Sequence, residues 1–475
     1  MKQYETVIGL EVHVELSTAS KIFCACQTGF GKKPNTSCCP ICMGMPGTLP
    51  LLNKKVVEYA ILTGLALNCT IERACMLDRK NYFYPDLPKA YQISQLYFPI
   101  ARKGGITIAT NNGEKTVGIC ELHIEEDAGK LIHDTDKNMT LVDYNRSGVP
   151  LIEIVSEPDF RSADEVTSYL DKLRTILRYL GVSDCKMQEG SMRVDINLSV
   201  RTIGDKGLGT RTEIKNMNSL KAISRAIEGE GKRQISIIKK GERIVQETRR
   251  WDDKANESIR MRSKEEARDY RYFPEPNILP IEISDDLIHK LRGLLPEFRD
   301  EKISRYQRDY KISEYEARLL SSSKEMADLF EKTTILCNLP KEVSNWLMAE
   351  GMRLLKENNM DSMDICLSPE RFSKLIEMVE GGRINRTKAR DVFEKIFLED
   401  IDPEDYVKRH GLEMVSDDKI LRRMIMKVVE ENPQSISDYR NGKTKAFGYL
   451  VGQTMKSMNG KADPSIINDI LNELL

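Results

Sequence analysis

Charge of one sign is what this 475-residue sequence has least of: 72 Lys and Arg against 73 Asp and Glu leave a net charge of −1. Without a chain-wide basic field, any RNA partner has to be held by local patches. Long apolar runs are missing too. The stretch AILTGLAL at 60–67 stops far below the roughly 20 residues of a membrane span, so no membrane partner is expected. The opening MKQYETVIGLEVHVEL has neither an apolar signal core nor an arginine-rich transit pattern, which makes the cytoplasm the expected location. No internal repeat and no low-complexity segment breaks the chain.

Familiar catalytic signatures are absent as well. GxxxxGK[ST] occurs nowhere, and the nearest glycine cluster, GDKGLGT at 204–210, lacks the lysine-hydroxyl ending. A nucleotide would therefore have to lie on strands rather than in a P-loop. The sequence has no GxSxG elbow and no HExxH pair, which argues against a serine hydrolase.

Cysteine, by contrast, is plentiful. Five of the eleven fall in FCACQTGFGKKPNTSCCPICMG, between Phe23 and Gly44. In a reducing cytosol, clustered thiols bind metal or do redox chemistry rather than form disulfides. Cys24-x-Cys26 and Cys39-x2-Cys42 are two close pairs separated by a Gly/Pro/Asn-rich loop, the spacing of a tetrahedral four-thiolate zinc site. A thioredoxin-like site would instead place one CxxC at the start of a helix. Zinc is the favoured reading, as a closed structural site that leaves no free position for catalysis. Cys38 is spare, and the other six cysteines are scattered.

At roughly 150 residues per domain, the length suggests two to four domains. Up to about residue 290 the pattern is mostly strand-like, punctuated by NNGE, GDKGLG and KKGE; beyond about 293 it becomes helix-like and richer in charge. The expected division is a sheet domain over 1–292, a helical domain over 293–405 and a small helical tail over 406–475. One helix within the first domain is well specified. SADEVTSYLDKLRTILRYLG opens on Ser162 and Glu165 as a capping box, runs apolar from Val166 to Leu180 and stops at Gly181.

The candidate chemistry lies on strands. In TVIGLEVHVEL, Ile8, Leu10, Val12, Val14 and Leu16 form an apolar face, and Glu11, His13 and Glu15 form the other. MRVDINLSVR repeats the arrangement, with Arg193, Asp195, Asn197, Ser199 and Arg201 opposite an apolar set, and TRTEIKN alternates Arg211, Glu213 and Lys215. Glu153 sits among Leu151, Ile152, Ile154 and Val155, a context that buries a carboxylate and so demands a cation or a hydrogen-bonded partner; a structural salt bridge would serve as well as a metal. LHIEEDAGKL adds Glu125, Glu126 and Asp127, which repel one another unless a cation is near. Carboxylates for magnesium and Arg or Lys for phosphate are what phosphoryl transfer requires.

Taken together, VIGLEVHVEL, LDRKNYFYPDLPKAYQISQ, LHIEEDAGK, DYNRSGVPLIEIVSEPD, GVSDCKMQEGSMRVDINLSVR, GTRTEIKNMNS, QETRRWD and DYRYFPEPN resemble one family: the B subunit of the heterotrimeric, bacterial-type aminoacyl-tRNA amidotransferase. The tail stretch NGKTKAFGYLVGQTMK matches too, so the resemblance covers nearly the whole chain. It implies an α+β fold: a catalytic cradle built on a curved antiparallel sheet like that of glutamine synthetase, with a zinc clip, followed by an all-α domain and a helical tail. It also implies a ligase that uses ATP and Mg2+ to phosphorylate the side-chain carboxylate of Glu-tRNA(Gln) or Asp-tRNA(Asn), after which glutamine-derived ammonia displaces phosphate.

Carried over residue by residue, the resemblance puts magnesium on Glu11, His13, Glu126 and Glu153, with Asp195 beside them. Histidine is an unusual magnesium ligand, so His13 is either an outer ligand or a position that favours manganese. Glu11 and Glu126 are the implied catalytic carboxylates, and Lys80 and Lys89 guide ammonia or the acyl phosphate. Arg193, Arg211 and Lys215 are the expected nucleotide-binding cations, and structural Zn2+ falls on Cys24, Cys26, Cys39 and Cys42. The implied partners are the amidase of the heterotrimer, which supplies ammonia, its small third subunit and the misacylated tRNA. In the tail, Phe447, Leu450, Val451, Met455 and Met458 make an apolar stripe with Lys443, Lys445, Lys456 and Lys461 near it. The pattern alone reads as an amphipathic core helix; the resemblance adds contact with the outer corner of the tRNA. A competing reading from another class is a noncatalytic, zinc-stabilised tRNA-binding adaptor for an amidase.

Overall fold

The computed structural model describes residues 3–134, 136–263, 270–415, 418–458 and 461–475, with backbone alone at 262 and 263. Asp269, the first residue of DYRYFPEPN, lies outside these. The chain forms a mixed α+β structure of two compact units, Met1–Phe298 and Arg299–Leu475.

The first unit is built on a nine-stranded sheet. From one edge to the other, its strands are Glu257–Ser263, Glu247–Asp252, Thr212–Lys215, Met192–Thr202, Tyr4–Glu15, Pro150–Ser156, Gly113–Glu126, Ala101–Thr110 and Thr70–Ile71. Alternation sorts each long strand between two environments. Ile8, Leu10, Val12 and Val14 are buried together with Met192, Val194, Ile196, Leu198 and Val200, as the sequence pattern predicts. The first strand is central. It pairs antiparallel with Pro150–Ser156 on one side and Met192–Thr202 on the other, which sets Glu11 opposite Asp195 and His13 opposite Glu153 and Arg193.

One pair departs from the antiparallel expectation: Thr212–Lys215 and Glu247–Asp252 run parallel. The reason is the connection between them. Helix Leu220–Lys239 carries the chain back across the sheet, and a strand returning after a helical crossover points the same way as the one before it. This helix was not legible as such in a region that reads mostly as strand. Gly229 and Gly231 lower its helix propensity, yet both sit where the helix meets a neighbour. A Cβ on Gly229 would lie 3.1 Å from the Trp251 ring, and one on Gly231 would lie 3.1 Å from Thr6 Cγ2.

Helix Lys54–Ala66 also escaped the strand-like reading, because it is short and its mostly buried run AILTGLAL has no polar face to mark a period. The predicted helix forms over Ala163–Leu180 and ends at Gly181 in the left-handed conformation, φ 67°. Only half of its capping box is present. Ser162 Oγ accepts from Glu165 N at 3.2 Å, but the Glu165 carboxylate accepts from Arg161 N at 2.7 Å and Lys115 Nζ at 2.9 Å instead. These three helices pack on the apolar face and close one large core. A small sheet of Asp78–Asn81, Tyr91–Ser94 and Phe273–Pro274 carries Lys80 and leads out of the loop holding Lys89.

In the second unit the described residues from 299 onward form helices alone, around two cores. The first core is aromatic: Trp346, Phe372, Phe393 and Phe397 pack together with ring centroids 5.3–5.6 Å apart. The second gathers Leu421, Ile425, Leu450, Ile467 and Leu471. In helix Lys445–Ser457 the predicted stripe faces this core, with Leu450 buried and Phe447, Val451 and Met455 packed against it.

Candidate functional site

The polar face of the sheet concentrates acids around one imidazole. His13 Nδ1 lies 3.0 Å from Glu125 Oε1 and 3.8 Å from Glu153 Oε2, and His13 Nε2 lies 3.9 Å from Asp195 Oδ2. Glu153 is held in turn by His123 Nε2 at 2.9 Å, and Glu11 Oε1 accepts from Asn197 Nδ2 at 2.8 Å. Two sets of three ligand atoms share His13: Glu11, His13 and Asp195, and His13, Glu125 and Glu153, each set within 4.8 Å of one another. Six-coordinate magnesium at about 2.1 Å places its ligand atoms about 3.0 Å apart when adjacent and about 4.2 Å when opposite, so either set could hold a divalent cation once its side chains draw in around it.

The electrostatics show how crowded this face is. Burial raises the Glu11 carboxyl above its usual range, and Glu153 adds to the effect. For His13, burial opposes the cation, but the hydrogen bond to Glu125 and the fields of Glu153, Glu125 and Asp195 outweigh it and raise the group to about 9. Glu153 is also pushed upward by burial, yet His123, His13 and Lys80 bring it well below the normal carboxylate range. The cluster draws in positive charge, with imidazoles and lysines standing where a bound cation would act.

The structure sorts the residues expected from sequence by place. Glu11, His13, Glu153 and Asp195 come together. Lys215 and Arg193 flank them already paired: Lys215 Nζ contacts Asp195 and lies 2.9 Å from Glu213 Oε1, and Arg193 Nη2 lies 3.0 Å from Asp127 Oδ1. Lys80 stands nearby, its Nζ 5.0 Å from the Tyr270 ring and 6.0 Å from that of Tyr82. Arg211 is exposed and makes no ion pair among the described residues.

Glu126 and Lys89 are elsewhere. Strand alternation turns Glu126 away from its neighbour Glu125, and its carboxylate takes Lys89 Nζ at 2.5 and 2.6 Å and Ile93 N at 2.8 Å. Glu125 and His123 are thus members of the cluster that the ligand set carried over from the resemblance lacks. The signal was there: in LHIEED, His123 and Glu125 are two apart and share a face, whereas Glu126 does not.

Behind Glu126 lies the cysteine segment. Cys24, Cys26, Cys39 and Cys42 bring their Sγ atoms within 4.8 Å of one another, and all are free thiols. Tetrahedral zinc with Zn–S of about 2.3 Å needs sulfurs about 3.8 Å apart, so the four can hold one ion. Cys39 N donates to Cys42 Sγ at 3.2 Å. A hydrogen bond from Cys24, opposed by burial and helped by Cys39 and Lys21, brings the Cys42 thiol down to about 4. Cys38 stays apart, its Sγ 3.9 Å from Asn145 Oδ1.

Residues 6–289, which contain both the carboxylate face and the cysteine segment, match the model of the GatB/GatE catalytic domain. The chain belongs to the GatB/GatE family. Residues 328–475 match a second model of that family, the GatB domain. Proteins named as the B subunit of aspartyl/glutamyl-tRNA(Asn/Gln) amidotransferase align along the full chain. The one from Lachnoclostridium phytofermentans is 63% identical over 475 residues, covering 100% of this chain and 99% of its own length. Those from Agathobacter rectalis and Lachnospira eligens are 59% and 56% identical, each covering 100% of both chains. No helix among the described residues is long and apolar enough to cross a membrane, as the short apolar runs of this GatB/GatE chain suggest.

Proposed function

We propose that this chain is the catalytic subunit of an aminoacyl-tRNA amidotransferase, a ligase that converts Glu-tRNA(Gln) or Asp-tRNA(Asn) to the amide, and that the face around His13 is its phosphoryl-transfer site. The observation that carries this reading is the pair of three-ligand sets sharing His13. Glu11, Asp195, Glu125 and Glu153 would hold magnesium, with His13 as an outer ligand or, for manganese, a direct one. The bound cation would neutralise charge on ATP as the substrate carboxylate attacks the γ-phosphorus.

A carboxylate is a poor electrophile until one oxygen leaves as phosphate, so ADP and an acyl phosphate form first. Ammonia then attacks the carbonyl and phosphate departs. Lys215, Arg193 and Arg211 are the cations for nucleotide phosphates, the first two after exchanging their present carboxylate partners. Lys80 and Lys89, with Glu126, guide ammonia. The four cysteines hold structural zinc, and the helical tail takes the tRNA through backbone contacts. No amidase signature accompanies these residues in the sequence, so a separate amidase, joined by the small third member of the heterotrimer, is the partner that supplies ammonia.

The test uses Glu11→Gln in the assembled complex and measures binding of charged tRNA and phosphate release from ATP separately. The expected result is retained binding with phosphate release lost by about 10²-fold or more. Retained ATP cleavage would refute the role of Glu11, and loss of binding in step with activity would favour the tRNA-binding adaptor.

A further inference from the structure

The cysteine segment and the Lys89–Glu126 ion pair are two walls of one cavity. Its volume is about 70 Å³, and Cys24, Cys42 and Gly44 line one side while Lys89, Tyr91 and Glu126 line the other. A water-sized guest needs only a fraction of that volume, so a molecule as small as ammonia fits. The ion pair is almost closed to solvent, with Lys89 9% and Glu126 3% exposed at the side chain.

Two residues of the cysteine segment shape Lys89 directly. The Phe23 ring lies 5.6 Å from Lys89 Nζ, with Tyr91 at 5.2 Å on another side. Gly44 adopts a left-handed φ of 64° and lies so close that a Cβ there would sit 2.4 Å from Lys89 Cγ and 3.3 Å from Lys89 Cα. Gly44 is two residues from Cys42, and its N–H donates to Ile41 O at 3.0 Å inside the Cys39-x2-Cys42 turn. The turn that the thiols close is therefore the surface against which the Lys89 stem is seated. From there the path to the carboxylate face is short: Gln92 Nε2 donates to Glu126 O at 2.7 Å and to Glu125 Oε2 at 3.2 Å, and Glu125 holds His13.

We propose that the cysteine clip positions ammonia delivery: through Gly44 and Phe23 its loop seats Lys89 against Glu126, so the use of glutamine-derived ammonia depends on the closed clip. This rests on the reading of Lys89 as a guide for ammonia. Gly44 and Phe23 are positioning residues, because neither touches the reacting atoms. A displaced Lys89 side chain would hinder ammonia that has to pass the cavity but would leave ATP chemistry on the opposite face intact.

The experiment compares Gly44→Ala with Gly47→Ala in the assembled complex. Gly47 is also left-handed, φ 87°, but a Cβ there meets nothing within 4 Å, so the pair separates backbone strain from contact with Lys89. Amide formation is measured with glutamine and with free ammonium as donors, alongside phosphate release and transfer of zinc to a chelating dye. Gly44→Ala is expected to lower the glutamine-to-ammonium ratio about tenfold, to speed zinc transfer and to leave phosphate release unchanged, while Gly47→Ala keeps the wild-type ratio. Equal ratios in the two variants overturn the inference. Lys89→Met tests the reading beneath it: an unshifted donor ratio there removes Lys89 from the ammonia route, whereas a shifted ratio with Gly44→Ala silent removes only the clip.

Discussion

Lys21 shows how closely charge is matched at single residues in this fold. Its side chain is 0% exposed and has no carboxylate partner among the described residues. Its Nζ meets Cys42 Sγ at 3.7 Å and the Tyr144 carbonyl at 3.3 Å. A buried ammonium is costly unless an anion or several hydrogen bonds offset it, so the Cys42 thiolate is its counter-charge. With an ion bound, the ammonium would relieve the excess negative charge of four thiolates around it. Lys21→Met, which keeps the apolar stem, is expected to speed loss of zinc to a chelator about tenfold. An unchanged rate, with the same metal content, would show that the lysine is only filler. The cysteine spacing was legible because metal ligation needs particular residue types at particular intervals. Lys21 and His123 were not, since a counter-charge or a carboxylate's partner is set by tertiary contact.

At the scale of elements, the first strand is the part the sequence displays most plainly. Its alternation of Glu11 and His13 with buried Leu10, Val12 and Val14 states both the fold and the site. Helix Leu220–Lys239 is the counterexample, because close approach to Trp251 and Thr6 requires glycines that local propensity counts against a helix. In the helical unit, stability rests in part on one carboxylate. Glu331 takes Lys302 Nζ at 2.5 Å, Arg305 Nη2 at 2.6 Å and Tyr306 Oη at 2.6 Å. Burial resists its ionisation, but these partners outweigh burial and hold it below the normal carboxylate range. A carboxyl lowered in the folded state stabilises the fold above its unfolded value of about 4.3, and that contribution is lost as the pH falls through the folded value. Glu331→Gln should cost about 1–3 kcal/mol at pH 7 and flatten the acid side of the stability profile in urea unfolding of the full chain. A variant with the wild-type acid limb would assign that limb to other groups.

At the scale of the whole molecule, the first unit is built on the large sheet and the second is helical among its described residues, the coarse order that the sequence suggests. The family was legible because its motifs are long and ordered along the chain. What the motifs left open was which carboxylates meet: neighbours Glu125 and Glu126 look alike in sequence, and only the pleat of the sheet sends one to His13 and the other to Lys89. That separation underlies the proposed division of labour, with phosphoryl transfer on one face and ammonia delivery on the other. Its central step, formation of an acyl phosphate on the tRNA-borne side chain, leaves an isotopic trace. Glu-tRNA(Gln) carrying ¹⁸O in both side-chain carboxylate oxygens, turned over by the complex with ATP and glutamine, should release phosphate bearing one ¹⁸O atom per amide formed. Phosphate free of ¹⁸O, with amide still formed, would contradict phosphorylation of the carboxylate and with it the role given to the His13 face.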